Sequence, residues 1–227
     1  MSASCCSPYY SFSPYHALAA RLIAELGPAG TDGSHDLSHI MRVWRNAAAI
    51  TATEPAADAE MVCAAVLLHD CVAVEKDSPL RSQASRLAAE RAREIAAGLG
   101  WTPDRIDALA HVIEAHSFSA AIEPRTLEAR ILQDADRLDA IGAIGIARCF
   151  YTGGRMGSQL YDPDDPAAQH RGLDDRRYAI DHFPAKLFKV ADGFRTPAGQ
   201  AMARARADTM HRFVTDFMAE VTKGQEP

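Results

Sequence analysis

The stretch Val62-Cys63-Ala64-Ala65-Val66-Leu67-Leu68 is apolar at every position and ends on an adjacent imidazole and carboxylate, His69-Asp70. A segment with no polar face is a helix covered on most sides. The remainder of the chain therefore has to wrap it, which points to a multi-helix assembly with this segment at the centre. An imidazole and a carboxylate are costly to bury at the end of such a helix unless something pairs with them, and a divalent cation is the most effective partner. An isolated His-Asp pair is more often a solvated helix end, so the other segments decide between the two readings.

Those segments read as helices. Leu18, Leu22, Ile23 and Leu26 recur at helical spacing over Tyr15 to Leu26, and Gly27-Pro28 closes the run. The loop Ala29 to Ser34 supplies N-cap residues for a helix from near His35 through His39, Val43, Ala47 and Ile50. After Pro55 the central helix is expected over Ala57 to about Cys71, with the His-Asp pair in its last turns. Ser82 or Ser85 caps the next helix, which stops at Gly98-Leu99-Gly100, and Thr102-Pro103-Asp104 opens another that ends at His116. Thr126-Leu127-Glu128 leads into a helix reaching Gly142. From Gly153-Gly154-Arg155 through His170-Arg171-Gly172 the sequence loses its period and reads as a long loop, a lid over the site. Two further helices are expected, about Asp175 to Val190 and Pro197 to Val221, the latter with a buried stripe of Met202, Met210, Phe213, Phe217 and Met218. Strands have almost no support. The expectation is an all-α fold, a compact helical bundle formed by one domain over residues 15–222, with a leader at 1–14 and a polar tail at 223–227.

Composition narrows the function. With 227 residues, 48% of them hydrophobic, there is ample material for a core, and a net charge of -6 argues against a surface built to track nucleic-acid phosphates. The start has no basic region followed by an apolar run, and nothing reads as a membrane span. Five cysteines without CxxC spacing read as small core residues or free thiols, which fits a reducing cytoplasm.

Candidate ligands then fall into place. His35 and His39 are four apart and share a helix face. His111 and His116 are five apart and point about 140° from each other, so they should not both serve one ion. Asp134, Asp136 and Asp139 sit in an otherwise apolar helix with only Arg137 to balance them. One of these acids, with His39, His69 and Asp70, gives a mixed nitrogen and oxygen site suited to one divalent ion: manganese, iron, nickel, cobalt, zinc or magnesium. The lack of thiolate argues against a structural zinc.

With those residues in view, the chain resembles the HD-domain metal-dependent phosphohydrolase superfamily, and within it a small YedJ-like bacterial branch. The resemblance runs over roughly Ala17 to Val221. It is carried by His35-Asp36-Leu37-Ser38-His39 with Arg42-Val43, by Leu67-Leu68-His69-Asp70, His116-Ser117-Phe118 and Gln133-Asp134-Ala135-Asp136-Arg137-Leu138-Asp139, by Gly142 to Arg148, and by Lys186-Leu187. It implies an HD-domain bundle and metal ligands at His39, His69, Asp70 and Asp136. His35 and Asp134 stand as alternatives to the first and last. His39 is preferred because Val43 keeps the family spacing, and a slip of one turn would move the ligand by about 5.4 Å.

The reaction implied is phosphohydrolysis by metal-activated water. Asp70 or Asp139 orients or deprotonates the water, and His116 protonates the leaving oxygen. Positive charge for the phosphate comes from Lys76, Lys186, Arg137 and Arg155, with His182 beside Lys186 on one helix face. The chain departs from the family in placing Cys71 to Glu75 between the His-Asp pair and Lys76. The substrate implied is a nucleotide, a nucleoside triphosphate among them, or another small phosphate ester, although no base-binding motif is visible. No bulk nucleic acid or membrane partner is expected, and a homodimer is left open. A metal-binding or regulatory module without turnover is the alternative, with an HD-type metal oxygenase behind it.

Overall fold

A computed structural model describes residues 12–26, 37–72, 74, 83–117 and 120–222. Among these residues the elements are α1 (His16–Leu26), α2 (Leu37–Thr51), α3 (Ala59–Leu68), α4 (Ala84–Gly98), α5 (Pro103–His116), α6 (Leu127–Asp139), α7 (Gly142–Met156), a 3-10 turn (Ala179–Asp181), a π-helical turn (Phe183–Leu187), α8 (Phe188–Ala191) and α9 (Pro197–Thr222). No strand occurs among them; one isolated bridge joins Gln159 and Tyr178. The fold is all-α. No helix among the described residues is long and apolar enough to cross a membrane.

The chain divides into two compact units, Met1–Asp136 and Arg137–Pro227. In the first, α3 is buried at every position from Met61 to Leu68, as its lack of a polar face requires. Asp58 starts it by accepting a hydrogen bond from the Met61 N–H at 2.9 Å. α1, α2 and α5 pack on it, presenting Leu22, the Val43-Ala47-Ile50 face, and Leu109, Val112 and Ile113, all buried. Burying one such side chain contributes about 1.5–3 kcal/mol, so this layer holds the unit together. Phe12 stacks on Trp44 of α2 at 5.8 Å.

In the second unit α7 packs on α9. Phe150, Phe183, Phe213 and Phe217 form a cluster with ring centroids 5.6–6.2 Å apart. Of the methionines expected in the stripe, Met210 is fully buried, whereas Met202 and Met218 are half-buried.

Four local expectations are corrected. The His-Asp pair follows α3 instead of forming its last turns, with His69 as the C-cap. Gln83, not a serine, occupies the N-cap of α4; Ser85 is inside the helix with its hydroxyl buried, and Ser82 lies outside the described residues. Gly153-Gly154-Arg155 belongs to α7, which continues to Met156 and stops at Gly157 in the left-handed conformation, φ +76°. A Cβ at 153 would lie 3.3 Å from that of Ala179, tighter than ordinary contact, so glycine fits there without displacing its neighbour. Finally, Asp175 to Val190 is not one regular helix. Pro184 lacks an N–H, and the ladder passes through a 3-10 turn and a π turn before α8.

The loop before that segment is built around Arg171. Its guanidinium binds both oxygens of Asp181 at 2.5 and 3.1 Å, reaches Asp162 at 2.9 Å and lies 4.4 Å over the Tyr178 ring.

Candidate metal centre

His39 stands in the first turn of α2, four residues before Val43, so the periodicity that buries Val43, Ala47 and Ile50 carries its imidazole inward too; it is 1% exposed. His69 is fully buried at the C-cap of α3. Its Nδ1 lies 2.8 Å from the Val66 carbonyl. A carbonyl can only accept, so that contact fixes the proton on Nδ1 and turns the Nε2 lone pair toward His39.

Four side chains of the first unit converge there. His39 Nε2 and His69 Nε2 are 3.4 Å apart. Asp70 Oδ2 lies 3.9 Å from the first and 3.5 Å from the second. Asp136 Oδ1, from α6, lies 3.6 and 3.8 Å from the same nitrogens. Two donors each about 2.1 Å from one ion can be at most about 4.2 Å apart, and these five separations meet that bound. Two neutral imidazoles and two carboxylates also carry the charge that balances a divalent cation, so His39, His69 and Asp70 form a cluster able to hold one, with Asp136 in reach of both imidazoles.

His116, the last residue of α5, borders this cluster. It is 6% exposed, its ring stands edge-on to His69 at 4.9 Å, and its Nε2 is 3.8 Å from Asp70 Oδ1. Its Nδ1 is 2.6 Å from the Ile113 carbonyl, the same i−3 arrangement that orients His69. Burial and the neighbouring His69 push the His116 imidazole below its ordinary value, while Asp70 and Asp136 pull it the other way. His111 is not part of the group; its Nε2 accepts from the Arg125 backbone N–H at 3.1 Å.

The remaining candidates fall elsewhere. His35 and Lys76 lie outside the described residues. Asp134 is fully buried two positions before Asp136, hence about 200° round α6 from it. In the second unit, Asp139 is 1% exposed and accepts from Arg148 at 3.0 Å, and Arg137 donates to the Gly193 carbonyl at 2.7 Å. Arg155 is exposed, 5.8 Å over the Tyr151 ring. His182 pairs with Asp175 at 2.8 Å, and Lys186 is exposed on the π turn. The helix face expected to bring these last two together is therefore not regular. Two buried side chains not singled out from sequence also border the cluster's helices: Asn46, which donates to the Ala135 carbonyl at 3.0 Å, and Gln133, which donates to the Ala115 carbonyl at 2.7 Å.

The sequence profile of the HD domain matches residues 36–141, which contain all four converging side chains. YpgQ of Bacillus subtilis is 33% identical over 193 residues, 83% of each protein. The chain belongs to the HD-domain superfamily. Among solved structures, a Lactobacillus plantarum protein is 33% identical with a TM-score of 0.67, over 91% of this chain and 97% of that one. An HD-superfamily hydrolase from Bacillus thuringiensis is 27% identical with a TM-score of 0.66, over 94% and 98%. YpgQ, crystallised in complex with ADP, superposes with a TM-score of 0.69 at 28% identity, over 94% and 97%. These relatives establish the superfamily; the YedJ-like branch is a finer division than they reach.

Proposed function

We propose that this protein is a divalent-metal-dependent phosphohydrolase acting on a nucleotide or another small phosphate ester. The observation that carries the reading is the convergence of His39 Nε2, His69 Nε2 and Asp70 Oδ2 in one cluster, its imidazoles buried and its Asp70 exposed, with Asp136 as the proposed fourth ligand. Similarity to an HD-superfamily hydrolase supports the reaction class, and the ADP complex of YpgQ supports a nucleotide. A divalent ion bound there supplies Lewis acidity toward a phosphoryl oxygen and acidifies water.

The chain's own groups supply the rest. Asp70 turns Oδ2 to the imidazoles and Oδ1 to His116, so one carboxylate both lines the cluster and reaches the residue assigned to proton transfer. With Nδ1 donating to Ile113, neutral His116 offers Nε2 as an acceptor for the proton that the attacking water loses, and returns that proton to the leaving oxygen. The Asp139 carboxylate is neutralised by Arg148, which leaves Asp70 as the group that orients water. Lys76, Lys186, Arg155, Arg137 and His182 are the cationic groups proposed from the sequence for the phosphate. A reducing cytoplasmic setting is proposed on the strength of three free thiols, Cys63, Cys71 and Cys149.

The test is a phosphate-release screen over nucleotides and simple phosphate esters with manganese, cobalt, nickel, iron, magnesium and zinc. Release that requires a metal and disappears in Asp70→Ala is expected. Metal binding without release from any substrate would replace this reading with a module that binds metal and does not turn over.

A further inference from the structure

Two buried carboxamides tie together the helices that bring the site into being. Asn46 is 5% exposed and stands on α2 seven residues after His39. Seven residues are about two turns, so both side chains leave α2 on the same side. The Asn46 Nδ2 crosses to α6 and donates to the carbonyl of Ala135, the residue before Asp136. Gln133 is 2% exposed and lies on α6 one turn before Asp136. Its Nε2 crosses to α5 and donates to the carbonyl of Ala115, the residue before His116.

The two acceptors matter for different reasons. Ala115 belongs to the last turn of α5, where carbonyls have no intrahelical N–H to accept from, so the Gln133 amide satisfies an orphan and fixes where that helix ends. Ala135 is inside α6, and its carbonyl has a second lone pair available to a side chain approaching from outside the helix. Both donors are neutral. An ammonium or guanidinium in either place would add positive charge beside a cluster that is suited to a cation. A carboxylate would face a carbonyl with nothing to donate.

We propose that Asn46 and Gln133 are positioning residues for the metal centre: by pinning α6 to α2 and to α5, they set the distance at which Asp136 meets His39 and His69. The inference rests on the reading of this cluster as a metal centre. Asp136 comes from a part of the chain far removed in sequence from both imidazoles, and a ligand set tolerates only about 0.2 Å of error in its bond lengths. Apolar packing alone is less directional than a hydrogen bond at a defined carbonyl.

The experiment is a Co2+ titration of the full chain, followed by visible absorption, with thermal unfolding measured in parallel. Asn46→Leu and Gln133→Met keep side-chain volume and remove the donor. Asn46→Ser, too short to reach Ala135, is measured alongside so that the result does not depend on one variant folding. Val112→Ala is the control, since Val112 is buried on α5 and its truncation weakens packing without removing either carboxamide. Folded Asn46→Leu, Asn46→Ser and Gln133→Met are expected to bind Co2+ about 10–100-fold more weakly than wild type, as loss of groups supporting metal ligands commonly does. Their Co2+ spectra should change in band position or intensity. Val112→Ala is expected to lower the unfolding temperature while keeping the wild-type affinity and spectrum. Wild-type affinity and spectrum in the carboxamide variants would overturn the positioning role alone, as would an equal loss in Val112→Ala. A wild-type protein that binds no Co2+ would overturn both this inference and the metal-centre reading.

Discussion

His69 has two hydrogen-bonding duties that one ring meets at once: Nδ1–H to the Val66 carbonyl at 2.8 Å and an Nε2 lone pair toward His39 at 3.4 Å. Removing the ring removes a proposed ligand and the imidazole donor to that carbonyl, so His69→Ala is expected to lose stoichiometric metal. Asp70→Ala should lose it too, because its carboxylate lies 3.5 Å from the same nitrogen. Elemental analysis of protein purified without a nickel column checks both, and a full metal complement in either variant excludes that residue as a ligand. The same measurement separates His39→Ala, expected to lose metal, from His35→Ala, expected to keep it. The thiols give a second prediction. Burial pushes Cys63 up to about 12, and Cys71 and Cys149 up to about 11. A group raised in the folded state contributes stability that is intact below its unfolded value, about 8.5, and is lost as pH rises toward the folded one. Native protein at pH 8 should therefore alkylate slowly at these three positions by peptide mapping, and Cys63→Ala should flatten the fall of stability between about pH 9 and 12. Fast native alkylation at Cys63 would contradict its burial. His69 was legible in sequence because an imidazole buried at the end of an apolar helix needs a partner, whereas Asp70 beside it is exposed and burial cost does not explain it. Asn46 and Gln133 were not, since a single amide has no period, and its partner carbonyl can be named only once two distant helices are brought together.

α3 shows how far hydrophobic period carries and where it stops. A run with no polar face had to be central, and every residue from Met61 to Leu68 is buried. What period could not fix was the helix end, because His69 keeps helical angles, φ −61° and ψ −31°, while acting as the cap. Leu68 is fully buried immediately before the pair. Leu68→Ala is expected to cost about 2–5 kcal/mol by chemical denaturation, the transfer term plus the cavity left behind. It should weaken metal binding as well, because the turn bearing His69 loses its floor. A cost below about 1 kcal/mol would mean that the site collapses around the smaller side chain. The second unit was harder to read. Gly153-Gly154 looks like a loop in one dimension, yet both residues lie within α7, where Gly153 faces Ala179. Pro184 lacks an N–H, and the chain there runs through a π turn, so the regular face expected for His182 and Lys186 is absent.

At the scale of the whole molecule, all four cage residues fall within Met1–Asp136, and a metal that binds the folded chain only must stabilise it by mass action. The increment is RT ln(1 + [L]/Kd), about 2.7 kcal/mol at a metal concentration 100 times Kd. The proposed ligands come from α2, the end of α3 and α6, which a folded first unit brings together and an unfolded chain does not. Linkage should therefore enter through the unfolding of that unit. Calorimetry in EDTA and again with Co2+ in excess is expected to show the transition of the first unit rising with metal concentration. Should the two units melt separately, the transition of Arg137–Pro227 should stay where it was; should they melt as one, the single transition should move. In either case His69→Ala is the decisive control, because it deletes a ligand and leaves the second unit unaltered. If Co2+ raises the transition of His69→Ala as much as that of wild type, the stabilising ion is bound somewhere other than the His39, His69, Asp70 and Asp136 cluster, and the assignment of that cluster as the metal centre fails.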